Sequence, residues 1–388
     1  MAASKKKQGK GAPQTLAEAR TSYAKRLEKA ERALTRLEKQ HQKLRKAELT
    51  LAEQTKRHLA SLAQLADQTS EQAATLERVY VIANPKSKRL ADKTVRLETI
   101  VDELRAVGIL AEIGLKTSGK VARLLARAAV ERGDSLLIVA GGDGTIGDVA
   151  TELVGSKTSL GILPVGTMNN LARALGVPSD IRAACQLLAT RLTRRIDVGQ
   201  VRLAEHEHEG YFLETAGVGL SALAAALGQE LEKGHWLTLV SSLGQFLAFK
   251  PTQMRIQLDT GEQFQVEADM VTLSNSPFFG NHMLVAPAAK IDDGFLDLAI
   301  YQGMHKTDLE RYFLELAQGR HPHDPRIIFR QARTVQIDAD EALAANASLE
   351  VLPKQQHWAF SVAPRALSVV VGPMAMLTLS VAFGASLA

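Results

Sequence analysis

Residues 136–149, LLIVAGGDGTIGDV, decide how this chain folds. The first five residues are apolar and do not alternate with polar ones, which is typical of a strand buried in a parallel sheet. Glycines follow, and a helical pattern begins at about Ile146. Glycines between a strand and a helix let main-chain N–H groups approach an anion, and the helix N-terminus adds partial positive charge. The stretch therefore predicts a phosphate-binding turn.

Two polar side chains accompany that turn. Asp143 would repel a bare phosphate, but its carboxylate could hold Mg²⁺, directly or through water, against phosphate oxygens. Thr145 offers a hydroxyl to the same group. The plainer alternative is that the glycines only make a tight turn.

Strand and helix patterns alternate on both sides of this stretch. Apolar strand patterns occupy residues 79–83, 110–115 and 160–164, and helical patterns occupy residues 91–107, 120–132 and 169–175. This alternation predicts right-handed βαβ units and a parallel sheet that binds its ligand at the carboxyl ends of the strands.

Two motifs together carry a resemblance to a known family. GGDGT at 141–145, followed by PVGTMNNLAR at 164–173, resembles the diacylglycerol kinase catalytic-domain family of lipid kinases, and the resemblance extends over residues 79–371. It implies ATP-dependent transfer of a phosphoryl group to a lipid hydroxyl, with ATP and Mg²⁺ as cofactors. The residues expected to bind the nucleotide are Asn84, Pro85, Ser87, Thr117, Gly141, Gly142, Asp143, Gly144, Thr145, Gly166, Thr167 and Asn169.

The chain departs from the family pattern in both phosphate loops. Lys88 replaces a glycine of the first loop and leaves a cation that could reach a phosphate. Asn170 stands where the family commonly has aspartate. The missing carboxylate changes either one contact to the acceptor of the phosphoryl group or one hydrogen bond that caps a helix.

A β-rich second domain is predicted after residue 195. Strand patterns occur at residues 196–201, 211–218 and 264–274, with a helical excursion over residues 220–249. The segment EHEHE at 205–209 looks superficially like a set of metal ligands, but a polar hairpin turn between two strands is favoured.

Residues 286–297, APAAKIDDGFLD, also match the family. Bacterial members hold a structural Mg²⁺ at positions that fall here on Lys290, Asp293 and Phe295, so the resemblance implies a metal site. Lys290 and Phe295 could contribute only main-chain carbonyl oxygens, which suit a hard cation. A plain Asp-Asp-Gly turn between strands is the alternative.

The general base of the family is the glutamate of an Asp-Gly-Glu sequence that follows a strand, a turn and a second strand. Here residues 335–338 have strand character, residues 339–343 are the expected turn, and the three positions fall on SLE at 348–350. The resemblance therefore implies Glu350 as the catalytic base. A less favoured placement puts the base on Asp340 or Glu341.

The remaining catalytic carboxylate is Asp143, acting through Mg²⁺. Because SLE keeps only the glutamate of the three motif residues, an alternative hypothesis is that the chain has lost kinase activity. The chain would then be a non-catalytic nucleotide- or lipid-binding protein with an interaction arm. A soluble-substrate kinase of the NAD kinase type is a third hypothesis.

Positive charge is concentrated in residues 1–78, which carry 17 Lys and Arg against 9 Asp and Glu, whereas the whole chain has a net charge of +5. Apolar residues there step by three and four, which predicts an α-helical coiled coil after a basic tail. We expect this extension to meet an anionic membrane surface or to form a homodimer. Nucleic acid is disfavoured because aromatic interleaving is absent.

The expected architecture is an α/β protein: a parallel-sheet nucleotide-binding domain with a β-rich second domain, preceded by the coiled-coil extension. The predicted divisions are residues 1–78, residues 79–195 with about 356–373, residues 196–355, and an apolar tail at 374–388 that is too short to span a bilayer. The chain has a single cysteine, Cys185, and no apolar secretory segment, so we expect the protein to be located in the cytoplasm. Peripheral attachment to the inner face of the membrane is a second expectation.

Overall fold

The computed structural model describes residues 76–203, 209–223, 225, 248–279, 283–318, 320, 322–348 and 350–372. The predictions for the helical extension before residue 76, for residues 205–208 and for the tail at 374–388 lie outside the described residues.

The first part of the described chain alternates strands and helices. Its strands are β1 (Glu77–Ala83), β2 (Ile109–Leu115), β3 (Leu136–Gly141) and β4 (Ser159–Pro164). Its helices are α1 (Lys88–Ala91), α2 (Leu97–Ala106), α3 (Gly119–Arg132), α4 (Asp143–Leu153), α5 (Asn170–Ala174) and α6 (Ile181–Ala189). These strands pair in parallel in the order β2-β1-β3-β4, which confirms the predicted parallel sheet.

Local sequence explains why helix α3 begins and ends where it does. The Ser118 hydroxyl accepts a hydrogen bond from the Val121 N–H, and Gly133 ends the helix in the left-handed conformation. Between these caps, Ala122, Ala126 and Ala129 recur at helical spacing and are buried. Small buried residues let α3 pack closely against the sheet, so that its first turn comes near the carboxyl ends of the strands.

The second part of the described chain is dominated by antiparallel strands. They are β5 (Thr193–Leu203), β6 (Glu209–Phe212), β7 (Thr215–Gly219), β8 (Thr252–Leu258), β9 (Gln263–Ser274), β10 (Phe278–Phe279), β11 (Met283–Leu284), β12 (Leu296–Gln302), β13 (Ile327–Ala332), β14 (Thr334–Ala347) and β15 (Glu350–Val370), with helix α7 (Lys306–Ala317) between β12 and β13. The expected β-rich second part is therefore present.

Strand β15 connects the two parts. Its first half pairs antiparallel with β14, and near its end Val369 pairs with Leu160 of β4. One sheet of 13 strands results, with the main order β13-β12-β9-β7-β14-β15-β4-β3-β1-β2. Because β15 starts at Glu350, the predicted base lies at the beginning of the strand that joins both parts.

Two local expectations were wrong. The helix predicted over residues 91–107 is two helices, α1 and α2, separated by residues 92–96. The turn predicted at 339–343 lies inside β14, where the pairing with β15 shifts register between Asp338 and Leu343. A bulge of this kind absorbs extra residues without ending the strand, and composition alone does not distinguish it from a turn.

Strand β3 and the thiol of Cys185 are both buried and have a structural role. All six residues of β3 are buried, as expected for a central parallel strand. Cys185 is buried on α6, where desolvation raises the pKa of its thiol to about 12, so it is a structural thiol. None of the described helices combines the length and hydropathy needed to cross a lipid bilayer.

Candidate active site

The corner between β3 and α4 is the centre of the candidate site. Strand β3 ends at Gly141, and α4 begins at Asp143, three residues earlier than its apolar pattern indicates. The Gly142 carbonyl accepts hydrogen bonds from the N–H groups of Thr145 (2.9 Å) and Ile146 (3.0 Å), so the first helical turn starts at the strand end. The N-terminus of α4 therefore faces the edge of the sheet where ligands of α/β proteins bind.

Two glycines bring the two sequence motifs into contact. A Cβ atom added to Gly166 would lie 2.3 Å from the Gly142 Cα, so neither position tolerates a side chain without backbone movement. The Asn169 side chain closes the second loop, accepting from the Gly166 N–H and donating to the Gly166 carbonyl, each at 3.0 Å. GGDGT and PVGTMNN are thus one structural unit, although about twenty residues separate them in sequence.

The Asp143 carboxylate joins the two loops. It accepts hydrogen bonds from the main-chain N–H groups of Asn170 (3.1 Å) and Leu171 (3.2 Å), which are the first residues of α5. Burial raises the pKa of the Asp143 carboxyl, while these N–H groups act in the opposite direction. Asp143 therefore caps a helix in addition to facing the ligand space.

A cleft, here named the basic cleft, opens in front of this corner and has a volume of about 730 Å³. That volume falls in the range of small-molecule and cofactor sites. Its lining residues are Asn84, Lys86, Ser87, Lys88, Ala91, Lys116, Gly119, Gly142, Asp143, Gly144, Thr145, Asp148, Gly166, Thr167 and Met168. Three lysines and a helix N-terminus give the basic cleft the chemistry of a phosphate site.

Thr145 connects the corner to the neighbouring strands. Its hydroxyl oxygen accepts hydrogen bonds from Asn84 Nδ2 at 3.0 Å and from Lys116 Nζ at 3.3 Å. Lys116 Nζ also lies 2.7 Å from an Asp148 carboxylate oxygen. Residues from the ends of β1, β2 and β3 are therefore tied together at the floor of the cleft.

The structure brings most of the predicted nucleotide residues together. The exceptions are Pro85, Thr117, Gly141 and Asn169, which are not among the residues that line the basic cleft. Of these, Asn169 shapes the second loop through its two hydrogen bonds with the main chain of Gly166. Gly141 leaves room for Thr145, since a Cβ atom at 141 would lie 2.6 Å from the Thr145 Cβ.

A second cavity, here named the acidic pocket, lies on the other side of the corner. Its walls contain apolar side chains from both parts of the described chain and four carboxylate residues. The lining residues are Arg123, Asp143, Gly144, Gly147, Asp148, Ala150, Thr151, Val154, Met168, Asn170, Val198, Tyr211, Leu213, Glu214, Phe279, Ala347, Ser348 and Glu350.

The two cavities share part of their walls. Asp143, Gly144, Asp148 and Met168 line both the basic cleft and the acidic pocket. A ligand group in one cavity would meet a group in the other at this shared wall. The arrangement suits a transfer between two bound molecules.

Glu350 lies at the acidic pocket through a tight hairpin. Ala347 pairs with Glu350 across β14 and β15, and Ser348 adopts a left-handed conformation with φ of 52°. The Ser348 N–H donates to the Thr215 carbonyl at 2.9 Å, which fixes the hairpin against β7. Asp340 and Glu341 do not line the acidic pocket, whereas Glu350 does, and the base at Glu350 stays a prediction.

Arg123 is the cation next to Glu350. Its guanidinium lies 3.5 Å from carboxylate oxygens of both Asp148 and Glu350. The Glu350 side chain is 66% exposed, so this pair is held in solvent-accessible space. Arg123 thus places a positive charge at the rim where the acidic pocket meets α3.

Sequence reasoning missed several residues of the site. Lys116 was passed over in favour of Thr117, although the end of β2 is the position that faces a ligand in a parallel sheet. Arg123 and Glu214 gave no local signal, because one is a charged residue on a helix face and the other lies between two short strands.

The predicted metal segment forms a turn close to Asp197. The Asp197 carboxylate accepts hydrogen bonds from the N–H groups of Gly294 and Arg365, each at 2.6 Å, and Asp293 accepts from the Phe295 N–H at 3.1 Å. Burial raises the pKa of Asp293, and Asp197 raises it further. No cluster of three or more His, Cys, Asp or Glu ligands occurs in the described part of the chain. The site at Lys290, Asp293 and Phe295 stays a prediction.

Comparison with known proteins agrees with this geometry. The family model described as "Diacylglycerol kinase catalytic domain" matches residues 78–201, and the model described as "YegS C-terminal NAD kinase beta sandwich-like domain" matches residues 215–371. This chain belongs to the diacylglycerol kinase catalytic-domain family. The first match includes every residue that lines the basic cleft, and the two matches together include the lining of the acidic pocket except for Tyr211, Leu213 and Glu214, which lie between them.

Relatives in the diacylglycerol kinase family cover most of the described chain. A diacylglycerol kinase from Bacillus subtilis (strain 168) is 31% identical over 279 residues, which are 70% of this chain and 89% of the relative. One from Mycobacterium tuberculosis is 28% identical over 220 residues, 56% of this chain and 71% of the relative. A crystal structure of a diacylglycerol kinase from Bacillus anthracis str. Sterne has the same fold, with a TM-score of 0.59 at 21% identity over 77% of this chain and 98% of that chain.

The first prediction concerns Lys116. Replacing it by Met removes the ammonium that contacts Thr145 and Asp148, so a phosphate in the basic cleft loses a cation. We expect Lys116→Met to raise the Kd for ATP about tenfold or more, roughly 1.4 kcal/mol, in calorimetric titration. Lys120→Met on the exposed side of α3 is the control and should bind ATP like the parent. Equal affinities for both variants would contradict a phosphate role for Lys116.

The second prediction concerns the metal segment. If Asp293 helps to hold a cation, Mg²⁺ should raise the Tm of the parent chain by a few degrees, because binding stabilises only the folded state. Asp293→Asn should abolish that rise. Asp292→Asn is the control: Asp292 is ion-paired with Arg194, so its variant changes the baseline Tm but keeps the Mg²⁺ response. A parent chain without any Mg²⁺ response would contradict the site.

Proposed function

We propose that this chain is an ATP-dependent lipid kinase that transfers the γ-phosphoryl group of ATP to a hydroxyl of diacylglycerol or a related lipid. The observation that carries the proposal is the wall shared by the basic cleft and the acidic pocket. ATP phosphates in the cleft and a lipid hydroxyl in the pocket would meet at Asp143 and Gly144. Membership of the diacylglycerol kinase family supports the same reaction.

The basic cleft would hold the nucleotide. The N–H groups at the start of α4 and the lysines at 86, 88 and 116 provide donors and positive charge for phosphate oxygens. Phosphoryl transfer depends mainly on positioning and charge neutralisation, because the protein forms no covalent bond to the transferred group. A preorganised corner therefore supplies the larger part of what the reaction needs.

The residues at the corner fit a magnesium ion that is bound together with ATP. Proteins usually hold Mg²⁺ through one or two carboxylates plus substrate phosphates, and Asp143 faces both cavities. The Asp143 carboxylate, which accepts hydrogen bonds from the N-terminus of α5, would hold the ion directly or through its water ligands. When bound, Mg²⁺ would neutralise charge on the phosphates.

The acidic pocket, which has a volume of about 90 Å³, would hold the reacting end of the acceptor. Its apolar side chains, Val154, Val198, Leu213 and Phe279 among them, suit a lipid better than a polar soluble substrate. The acceptor oxygen forms a bond to the γ-phosphorus, the bond from that phosphorus to the bridging oxygen of ADP breaks, and Glu350 takes the proton of the hydroxyl. Arg123 beside Glu350 offers positive charge to the transferred group.

The third prediction tests this assignment with labelled ATP and vesicles that contain candidate lipids, with NAD as a soluble competitor. Glu350→Gln should lower kcat about 10²-fold or more, since a general base contributes that order of magnitude, while ATP affinity is kept. Glu341→Gln is the matched control on exposed β14 and should retain the parent kcat.

Other results of that assay identify the alternatives. Loss of turnover in Glu341→Gln instead of Glu350→Gln would move the base to the neighbouring placement. Label in NAD and in no lipid would favour the soluble-substrate kinase. ATP binding without transfer to any acceptor would favour the non-catalytic protein.

We also propose that the basic extension attaches the enzyme to an anionic membrane surface. The support is its charge, 17 Lys and Arg against 9 Asp and Glu in residues 1–78, since each basic residue near an anionic surface contributes about 1 kcal/mol. A homodimer through the same extension, and a cytoplasmic location, stay predictions.

The fourth prediction follows from that charge. The full chain should co-sediment with vesicles that contain anionic lipid, and the bound fraction should fall steeply as NaCl is raised from about 50 to about 500 mM, because salt screens the attraction. Vesicles of neutral lipid alone are the control and should retain little protein. Binding to both vesicle types that does not depend on salt would contradict the electrostatic account.

A further inference from the structure

Asp148 is a carboxylate of the shared wall to which the proposed reaction assigns no role. It lies on α4 and lines both the basic cleft and the acidic pocket. Its two carboxylate oxygens contact different cations: Oδ2 lies 2.7 Å from Lys116 Nζ, and Oδ1 lies 3.5 Å from Arg123 Nε. Asp148 therefore connects a cation of the basic cleft with the cation beside Glu350.

A chain of contacts leads from the floor of the basic cleft to Arg123. Thr145 Oγ1 accepts a hydrogen bond from Lys116 Nζ at 3.3 Å, and the same ammonium group pairs with Asp148. The side chains of Lys116 and Asp148 are only 14% and 20% exposed, so salt screens this pair less than it would screen a surface pair. Lys116 therefore fixes one oxygen of Asp148, and the other oxygen contacts Arg123.

The backbone of α3 leaves room for the Asp148 carboxylate. A Cβ atom added to Gly119, the first residue of α3, would lie 3.0 Å from both carboxylate oxygens of Asp148. The partial positive charge at a helix N-terminus favours a carboxylate at this place. Asp148 therefore packs against the first turn of the helix that also carries Arg123.

Arg123 contacts two carboxylates that differ in exposure. Its Nε atom lies at Asp148, and its Nη2 atom lies 3.5 Å from Glu350 Oε2. The Asp148 side chain is 20% exposed and the Glu350 side chain is 66% exposed, so Asp148 is the better fixed partner. The donors of a planar guanidinium point in fixed directions. The contact at Nε therefore directs the outer nitrogen atoms of Arg123 towards the rim of the acidic pocket.

A second ion pair between the same two helices provides a comparison. Arg127 and Glu152 follow Arg123 and Asp148 by about one helical turn, and Arg127 Nη2 lies 3.0 Å from Glu152 Oε2. Neither Arg127 nor Glu152 lines the basic cleft or the acidic pocket. The pair of Arg127 and Glu152 is therefore a contact between helices, whereas the pair of Arg123 and Asp148 also reaches both cavities.

We propose that Asp148 is a positioning residue of the kinase reaction, which holds the Arg123 guanidinium at the rim of the acidic pocket. The proposal rests on the lipid kinase function, in which Arg123 offers positive charge to the transferred phosphoryl group. Asp148 acts through Arg123, and Lys116 keeps the Asp148 carboxylate in place. The charge that stabilises the transfer is thereby fixed before the acceptor arrives.

Loss of the Asp148 charge affects its two cations differently. Lys116 keeps its hydrogen bond to Thr145 and lies in a sheltered position, so it stays in the basic cleft. Arg123 is 41% exposed and loses the better fixed of its two carboxylate partners, so its guanidinium leaves the rim. A shift of about 1 Å in a group that acts on the reacting atoms can lower the rate about 10²-fold.

The experiment measures the kcat of lipid phosphorylation and the Kd for ATP in the full chain. Asp148→Asn keeps the shape of the side chain and removes its charge, and we expect it to lower kcat about tenfold or more. The Kd for ATP should not rise, because Lys116 stays in the cleft and a carboxylate that repels phosphate is gone. Glu152→Gln is the matched control from the neighbouring ion pair and should keep the parent kcat and Kd.

A double-mutant cycle decides whether Asp148 acts through Arg123. Arg123→Gln alone should lower kcat at least as much as Asp148→Asn does. Asp148→Asn added to Arg123→Gln should lower kcat no further, because the two residues are coupled and the guanidinium is already absent. Losses that multiply in the double variant would show that Asp148 acts independently of Arg123 and would overturn the proposal.

Arg123→Lys keeps the test valid if Asp148→Asn folds poorly, as a Tm far below that of the parent would show. Lysine keeps the positive charge, but its compact ammonium group lacks the fork of donors that contacts Asp148 and Glu350 together. We expect Arg123→Lys to lower kcat about fivefold or more at the parent Tm. A parent-like kcat would show that the charge suffices without its position and would overturn the proposal.

Three further results would overturn it. One is a parent-like kcat in Asp148→Asn. Another is a rise in the Kd for ATP that accounts for the loss of activity, which would assign Asp148 to nucleotide binding. The third is the same loss of kcat in Glu152→Gln, which would show an effect of the helix contact alone. In each of these cases the parent still phosphorylates a lipid and the kinase function is kept, whereas a parent that phosphorylates no acceptor overturns both proposals.

Discussion

The hydrogen bonds from the Asn170 and Leu171 N–H groups to the Asp143 carboxylate are the constraint on which the site depends. They hold the N-terminus of α5 against the N-terminus of α4, and the close approach of Gly142 and Gly166 lets the two backbones meet. Two helix N-termini therefore converge at one edge of the sheet. That edge carries partial positive charge, and Asp143 is the carboxylate placed within it.

This arrangement explains why one protein has a basic cleft and an acidic pocket back to back. The cleft takes its lysines from the ends of the parallel strands, and the pocket takes its carboxylates from α4 and the β-rich part. Strand β15 begins at Glu350 and later pairs with β4, so the strand that carries the proposed base is anchored in the parallel sheet. The separation of opposite charges across one wall suits a transfer from an anionic donor to an uncharged or cationic acceptor.

Local signals predicted the parts of the site that depend on short stretches of chain. The apolar run of β3, the glycine corner and the alternation of strands and helices each follow from neighbouring residues, and the structure confirms the parallel sheet. Lys116 follows the end of β2, which is a local signal that was passed over, whereas Arg123 and Glu214 could not be found this way, because their roles depend on which strands and helices become neighbours. The bulge in β14 was mistaken for a turn for a related reason: only the partner strand shows that the pairing continues beyond it.

The central claim is that the corner at Asp143 holds the terminal phosphates of a nucleotide at the wall between the two cavities. The most direct test is a crystal structure of the chain with a non-hydrolysable ATP analogue and Mg²⁺. We predict that the terminal phosphate lies at the N–H groups of residues 142–144, with Asp143 on the ion or on one of its water ligands. A nucleotide bound away from this corner, or a corner closed by neighbouring side chains, would contradict the account.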